Sequence, residues 1–307
     1  MTLTFLIDAL ITVIGITTPI LLAASGELVV EKSGVINLGV EGMMLVGAIT
    51  GFAVGFEFSD PWIGVGAAAV AGAATSMIFA VLVLSLGTNQ VATGLALTIF
   101  GVGLSSLIGT NYTGFAALPF DPPFPEYLAQ DPIGRVIFGH SAFVYFALIL
   151  VFAIGWFLSH TRAGLVLRAV GENDFSAHSI GYPVIAIRYA AIAFGGAVAG
   201  IAGANFSMVI TPMWAEQMTA GRGWIALALV VFSGWRAGRL LAGAYFFGVL
   251  MTLELYAKAS GYAIMPSQFW AAMPYIIAVA VLAFISARDG RSGKEPACLG
   301  KPFLPNG

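Results

Sequence analysis

Apolar runs of about 20 residues recur along the chain, separated by short groups of Gly, Pro, Asn or charged residues. A helix needs roughly 20 apolar residues to cross a hydrocarbon core about 30 Å thick. The pattern therefore predicts an all-α bundle of about nine transmembrane helices, near 3–24, 38–56, 62–84, 90–109, 141–159, 186–209, 223–235, 240–257 and 268–287. Because 223–235 is too short to cross alone, we expect a half-helix or re-entrant segment there or between the first two runs.

The composition excludes a soluble fold. Of the 307 residues, 59% are hydrophobic and only 9% are charged, whereas a soluble domain carries about 25% charged residues. We expect one polytopic transmembrane domain over 1–287, followed by a polar, disordered tail over 288–307. The single cysteine, Cys298, excludes a disulfide framework, and the three histidines share no ligand spacing. Neither a metal site nor a catalytic site is predicted.

The positions of Lys and Arg predict the orientation, because the cytoplasmic loops of membrane proteins are enriched in these residues. With the C-terminus inside, only Arg135, Arg222 and Lys258 fall outside. The others fall at the cytoplasmic face, and they are Lys32, Arg162, Arg168, Arg188, Arg236, Arg239, Arg288, Arg291, Lys294 and Lys301. We therefore expect a multi-pass protein with a cytoplasmic C-terminus and, if it has nine spans, an external N-terminus.

The segment 26–44 places charged residues, Asn37 and repeated Gly between two apolar runs. A helix broken at membrane depth exposes backbone groups that only a protein-lined or water-filled cavity satisfies, and solute pathways often contain such breaks. Asn37 and Glu41 are four residues apart, so we expect them to share a helix face. Intramembrane carboxylates often have functional roles. Glu41 is therefore a candidate for a translocation path, with local capping or pairing as an equally weighted alternative.

The start of the fourth apolar run carries neutral hydrogen-bonding groups. Asn89, Gln90 and Thr93 follow directly after Gly87 and Thr88. These three side chains are further candidates for lining a translocation path, although N-capping of the helix is the favoured interpretation.

The connection 161–185 is predicted to be cytoplasmic and contains a short helix. Asn173 or Asp174 is placed to cap that helix. Its apolar side chains would be Phe175, Ala177 and Ile180. A short surface helix that is too polar to insert suits the docking of another protein, and an ordinary interfacial loop is the alternative.

Small residues crowd two of the predicted spans, at 51–55 and 195–203. Small residues at such spacing let helix backbones approach closely in lipid. We interpret them as packing surfaces rather than as a mobile gate.

Three groups of residues carry a family resemblance: 26–44, then Gly171-Glu172-Asn173 with Ala177 and Gly181, then 199–204. Together they resemble the permease subunits of bacterial ABC importers in the branched-chain amino acid, ribose and nucleoside group. The resemblance covers roughly 10–285 and points to the shorter permease of the nucleoside and simple-sugar branch.

This resemblance implies an importer in the bacterial cytoplasmic (inner) membrane, built from two permease subunits, usually different, with two ATPase domains and an external binding protein. It assigns coupling to the ATPase to Gly171, Glu172, Asn173, Asp174 and Ala177. ATP and magnesium would bind to the ATPase, so no cofactor, no enzymatic activity and no nucleic acid partner is expected for this chain. The implied solute is first a nucleoside or other purine and second a simple sugar.

Two other classes of protein are weighed against this interpretation. An ion-coupled secondary transporter typically has intramembrane acid–base groups and an internal repeat, and the acidic candidates here reduce to Glu41 and Glu254. A membrane-embedded enzyme needs polar side chains that converge at one depth, which the dispersed histidines do not offer. The chain also lacks a Gly-x4-Gly-Lys-Ser/Thr phosphate loop, so the energy for an ABC importer must come from a partner.

Overall fold

The computed structural model describes residues 3–121, 123–259 and 295–303, with isolated positions between 269 and 283. Over these residues the chain is helical apart from its connections and one antiparallel bridge between Ala116 and Met213, which confirms the all-α prediction. The helices are α1 (Leu3–Lys32), α2 (Val40–Phe58), α3 (Pro61–Ala80), α4 (Gln90–Gly109), α5 (Pro132–Phe138), α6 (Ala142–His160), α7 (Arg162–Glu172), α8 (Asp174–Ser179), α9 (Val184–Asn205), α10 (Arg222–Phe232) and α11 (Ala237–Ala259).

Within the described part of the chain, seven helices are long and apolar enough to cross a bilayer: α1, α2, α3, α4, α6, α9 and α11. Each corresponds to one of the predicted spans. The predicted short run 223–235 corresponds to α10, which has only 11 residues. The ninth predicted span, 268–287, lies almost entirely outside the described residues.

The first helix is longer than predicted. It continues to Lys32 rather than ending near residue 24, because the two carboxylates in its last turns are buried against distant partners. Glu27 accepts the backbone N–H of Asn37 at 3.2 Å, and Glu31 accepts the indole N–H of Trp235 at 2.5 Å. The irregular backbone of the 26–44 motif is therefore confined to a short turn over 33–39.

The bundle is built around α1 and α9. The helix α9 packs against α1, α2 and α3. The small residues of 195–203 lie at those contacts. A Cβ on Gly203 would overlap the carbonyl oxygen of Met44, and a Cβ on Gly47 would overlap the backbone of Gly200. The close approach supports the packing interpretation of 195–203.

Two groups of charged residues mark the two ends of the bundle. Lys32, Arg168, Arg236 and Glu172 line one cleft, and we call this the Lys32 end. At the opposite end Asp8 pairs with Arg135 at 3.4 Å. The predicted pair of Glu254 and Lys258 also forms, at 2.6 Å. Arg188 and the segment 295–303, which includes Lys301, lie at the Lys32 end as well, beside the residues that precede α2.

Residues 295–303, the described part of the predicted tail, pack against the rest of the chain. The backbone N–H of Cys298 donates to the carbonyl oxygen of Gly171 at 2.9 Å, and that of Gly300 donates to Gly34 at 3.2 Å. Phe303 is buried against α7, α8 and α9. The side chains of Phe303 and Leu299, together with these backbone hydrogen bonds, therefore hold a polar segment that has no apolar run of its own.

Candidate translocation site and coupling segment

An irregular stretch of backbone, 211–221, leads into the short helix α10. Gln217, Ala220 and Gly221 have positive φ angles of 52°, 46° and 80°. At about 1.5 Å per residue, the 11 residues of α10 span only about 16 Å, roughly half of a hydrocarbon core. The helix ends just before Trp235, which bonds to Glu31 near the Lys32 end. Its first turn therefore lies at about the middle of the bundle, as the predicted half-helix requires.

Glu41 caps this half-helix. Its carboxylate accepts the hydroxyl of Thr219 at 2.6 Å, the backbone N–H of Gly221 at 2.7 Å and that of Gly223 at 2.5 Å. Glu41 is only 6% exposed and lies in the first turn of α2. Helix N-termini carry partial positive charge, so a carboxylate between the starts of α2 and α10 is favourably placed. Glu41 therefore caps the start of α10 through partners about 180 residues away, not through the local partners that the alternative interpretation expected.

The turn over 33–39 is held by buried side chains. The side-chain oxygen of Asn37 accepts a hydrogen bond from the backbone N–H of Gly39 at 3.0 Å. The backbone N–H of Asn37 donates to the carboxylate of Glu27. The side-chain oxygen of Gln90 accepts the N–H of Ile36 at 2.8 Å. Each of these bonds satisfies a backbone group that the helix break would otherwise leave unpaired.

The prediction that Asn37 and Glu41 share a helix face is wrong. The helix α2 begins at Val40, so Asn37 belongs to the preceding turn, where it is fully buried. The spacing rule fails because it applies only when both residues are already helical.

The candidates at the start of α4 divide into two groups. Asn89 is exposed and caps α4 by accepting the N–H of Ala92 at 3.0 Å, as the favoured interpretation predicted. Thr93 is partly exposed, and its hydroxyl lies 2.8 Å from that of Thr88. Gln90 is buried on the turn 33–39. The structure therefore places these three residues around one helix start without gathering their polar groups at one point.

Arg222 was predicted to lie outside with Arg135 and Lys258, but the structure places it elsewhere. It begins α10 at mid-depth, where its guanidinium lies 4.9 Å from the ring centre of Phe206. It also donates to the carbonyl oxygens of Met218 and Thr219 at 3.4 and 3.3 Å. The prediction fails because loop counting assigns every charge to a surface, whereas a re-entrant segment carries this one inward.

The segment 161–185 forms two short helices at the Lys32 end. Thr161 caps α7 through the N–H of Gly164, and Asn173 caps α8 through the N–H of Ser176 at 2.9 Å. The predicted short helix capped by Asn173 is thereby confirmed. Its exposed surface carries two large apolar side chains, Phe175 at 54% and Ile180 at 73% exposure.

The five residues assigned to coupling occupy different environments. Glu172 and Asn173 are exposed, whereas Gly171, Asp174 and Ala177 are buried. Gly171 has no room for a Cβ, because one would overlap the carbonyl oxygen of Lys32. The buried three therefore fix α7 and α8 to the bundle, and only the first two are available to a partner.

Arg188 is the largest fully buried side chain in the described part of the chain and was not predicted to lie inside the protein. It pairs with Asp174 at 3.0 Å and donates from Nε to the carbonyl oxygen of Ser33 at 3.0 Å. Breaking a buried pair of this kind leaves an uncompensated charge and costs about 3–5 kcal/mol. Arg188 therefore joins α8, α9 and the turn 33–39.

Several residues that complete the site were not among the predicted ones. Thr219, Gly221 and Gly223 donate three hydrogen bonds to Glu41. Two glycines at alternate positions, just before a short apolar run, are a usable sequence signal of a capped half-helix. Trp235 and Arg188 carry no local signal, because their partners lie far away in the sequence.

A bundle of long apolar helices and a capped half-helix that starts at mid-depth are features of polytopic membrane transport proteins. The comparison with known families makes the class specific. The chain belongs to the family described as branched-chain amino acid transport system / permease component, whose profile matches residues 9–285. This confirms the ABC permease resemblance and favours it over the ion-coupled alternative.

Several curated relatives match over most of their length. The putative glucose ABC transporter permease protein TsgC13 of Haloferax volcanii is 40% identical over 294 residues, covering 88% of this chain and 89% of the relative. The guanosine ABC transporter permease protein NupQ of Bacillus subtilis is 30% identical over 305 residues, 93% of each. The nucleoside ABC transporter permease protein NupC of Lactococcus lactis is 27% identical over 280 residues, 87% of this chain and 88% of the relative. No solved structure matches the chain significantly.

Proposed function

We propose that this chain forms one half of the translocation path of an ABC importer for a neutral, sugar-containing solute, either a nucleoside or a simple sugar. The proposal rests chiefly on full-length similarity to permeases named for glucose, guanosine and nucleosides. The low content of charged residues, 9%, suits a neutral polar solute. The named solutes share a sugar ring or are sugars, and so they define a common class.

The path runs beside the start of α10. Irregular backbone at membrane depth is tolerated where it is buried in protein or lines a cavity, and the exposed side of 211–221 carries Glu216 and Gln217. Glu216 accepts the hydroxyl of Ser106 on α4 at 2.9 Å. In this proposal Asn37, Glu41 and Gln90 hold the walls of the path, while Asn89 and Thr93 lie at its Lys32 end.

The exposed surface of α8 docks on the ATPase. Glu172 and Asn173 supply polar contacts, and Phe175 and Ile180 supply apolar area beside them. Because the family consists of ABC permeases, an ATPase and a substrate-binding protein are its working partners. The chain itself is non-catalytic, and ATP and magnesium bind to the ATPase.

The remaining proposals concern assembly and orientation. A second, different permease completes the path, and the Lys32 end faces the cytoplasm because it gathers the basic residues. The C-terminus then also lies in the cytoplasm, and the protein resides in the cytoplasmic membrane.

Purification from native membranes in mild detergent tests this assignment. We expect mass spectrometry to find an ABC ATPase and a second permease with the chain, and the complex to hydrolyse ATP. Recovery of the chain alone would contradict the importer proposal. Recovery of the chain with a second copy of itself, and with no other permease, would contradict the heterodimer proposal.

A further inference from the structure

The segment 295–303 bridges two parts of the protein that the coupling proposal treats separately. Its backbone donates from Cys298 to Gly171, at the end of α7, and from Gly300 to Gly34, in the turn 33–39. The thiol of Cys298 adds a contact to the carbonyl oxygen of Glu172 at 3.6 Å. Gly300 adopts a φ angle of +74°, a conformation that side chains rarely take. The segment is therefore shaped to its contacts rather than resting loosely on the surface.

Phe303 lies behind α8. Its side chain is 7% exposed and packs with Val170, Ala177 and Val184. Its ring centre is 5.4 Å from that of Phe175 and 5.5 Å from that of His178, both on α8. A helix of six residues has no stability of its own, because isolated helices shorter than about 12 residues are marginal in water. The position of α8 therefore depends on what packs behind it.

Arg188 belongs to the same cluster. Its guanidinium lies 6.0 Å from the ring centre of Phe303, pairs with Asp174 at the start of α8, and bonds to the carbonyl oxygen of Ser33. The same turn continues to Asn37 and then to Glu41, which holds α10. A continuous set of buried contacts thus joins α8 to the half-helix.

We propose that residues 295–303 form a clamp that keeps α8 fixed to the turn 33–39 and to α9, so that a push on α8 moves the bundle. Phe303 and Arg188 are its positioning residues: neither reaches solute or nucleotide, and both act through α8. The clamp rests on the proposed docking of α8 to an ATPase. Without the clamp, α8 would move with the ATPase while the rest of the bundle stayed in place. ATP would then be hydrolysed with less solute transported.

Phe303→Ala in the assembled complex, with ATPase and binding protein present, tests the clamp. Cys298 is the only cysteine of the chain and reports on its release: burial raises the pKa of the thiol, so maleimide labelling should be slow in the unaltered chain and faster in the variant. Solute transported per ATP hydrolysed should fall roughly fivefold or more, as for ordinary allosteric coupling. Basal ATP hydrolysis should persist. Lys301→Ala, a change at an exposed position in the same segment, should alter neither the labelling rate of Cys298 nor the solute transported per ATP. Phe303→Leu should keep the coupling that Phe303→Ala loses.

Faster labelling of Cys298 with unchanged coupling would overturn the clamp. If Phe303→Ala leaves labelling unchanged, deletion of residues 295–307 decides the matter: normal coupling or a failure of the complex to assemble contradicts the proposal, and assembly with reduced coupling supports it. Failure of the unaltered chain to bind an ATPase would instead contradict the proposed function, so the two results are distinguishable.

Discussion

Glu41 shows how a single buried carboxylate joins distant parts of this chain. Three donors from Thr219, Gly221 and Gly223 converge on it. Two of them, the backbone N–H groups of Gly221 and Gly223, are groups that the start of α10 would otherwise leave unpaired. A charged acceptor satisfies several donors at once and suits the positive ends of helices. The residue is therefore a structural anchor beside the proposed path, and it fixes where the half-helix begins.

Glu41→Gln should destabilise the protein, because the amide presents donors where the backbone also donates. Hydrogen bonds to charged groups contribute about 1.5–3 kcal/mol, so the free energy of unfolding should fall by that order and the unfolding temperature of the purified complex should fall with it. Glu57→Gln is the matched control, since this carboxylate is exposed and its hydrogen bond, at 3.2 Å, comes from the Tyr112 hydroxyl. Equal unfolding temperatures for both variants would contradict the anchoring role.

At the scale of helices, the apolar runs located the elements because the length of a bilayer-crossing helix is fixed by the membrane. The half-helix was predicted for the same reason, since 223–235 is too short. The predicted end of α1 and the predicted placement of Asn37 on α2 were wrong. Both depend on Glu27, Glu31 and Trp235 finding partners across the bundle, and no local pattern encodes contacts between residues as far apart as 31 and 235.

The candidate site was predictable to a different degree. Asn173 was found because N-caps obey a local rule. The buried position of Arg188 and the packing of residues 295–303 were not predicted. Charged and polar residues are mostly exposed in proteins, so composition does not indicate that an arginine is buried or that a polar segment is packed. Their order comes from Asp174 and Phe303 respectively, which is a property of the assembled fold.

The contact between α2 and α9 predicts a sharp difference between two glycines. Gly203→Ala would overlap the carbonyl oxygen of Met44, whereas a Cβ on Gly103 meets no atom within 4 Å. Overpacking costs typically 1–3 kcal/mol, so Gly203→Ala should lower the unfolding temperature. Gly103→Ala should leave it unchanged or raise it slightly, because Ala favours a helix by about 1 kcal/mol over Gly. The same unfolding temperature for both variants would show that α2 and α9 do not approach this closely.

At the scale of the whole molecule, two ends with different chemistry frame the bundle. The Lys32 end gathers the basic residues, α7, α8 and residues 295–303, and the other end carries the pair of Asp8 and Arg135. The half-helix lies between them. Contacts run from α8 through Arg188 and the turn 33–39 to Glu41, so the end that would receive the ATPase is physically connected to the proposed path.

Labelling of single cysteines tests the orientation. In a Cys298→Ser background, Asp131→Cys should react with a membrane-impermeant maleimide on intact cells, and Lys301→Cys should react only after permeabilisation. Both positions are exposed in the structure. The reverse pattern would place the Lys32 end outside and would contradict the proposed cytoplasmic coupling.

The central claim is that this chain carries a sugar-containing solute across the membrane at the expense of ATP hydrolysed by a partner. Uptake into proteoliposomes that hold the purified complex, with the binding protein outside and ATP inside, measures this directly. We expect uptake of glucose or guanosine that requires both ATP and the binding protein. Uptake driven by an ion gradient without ATP would contradict the claim.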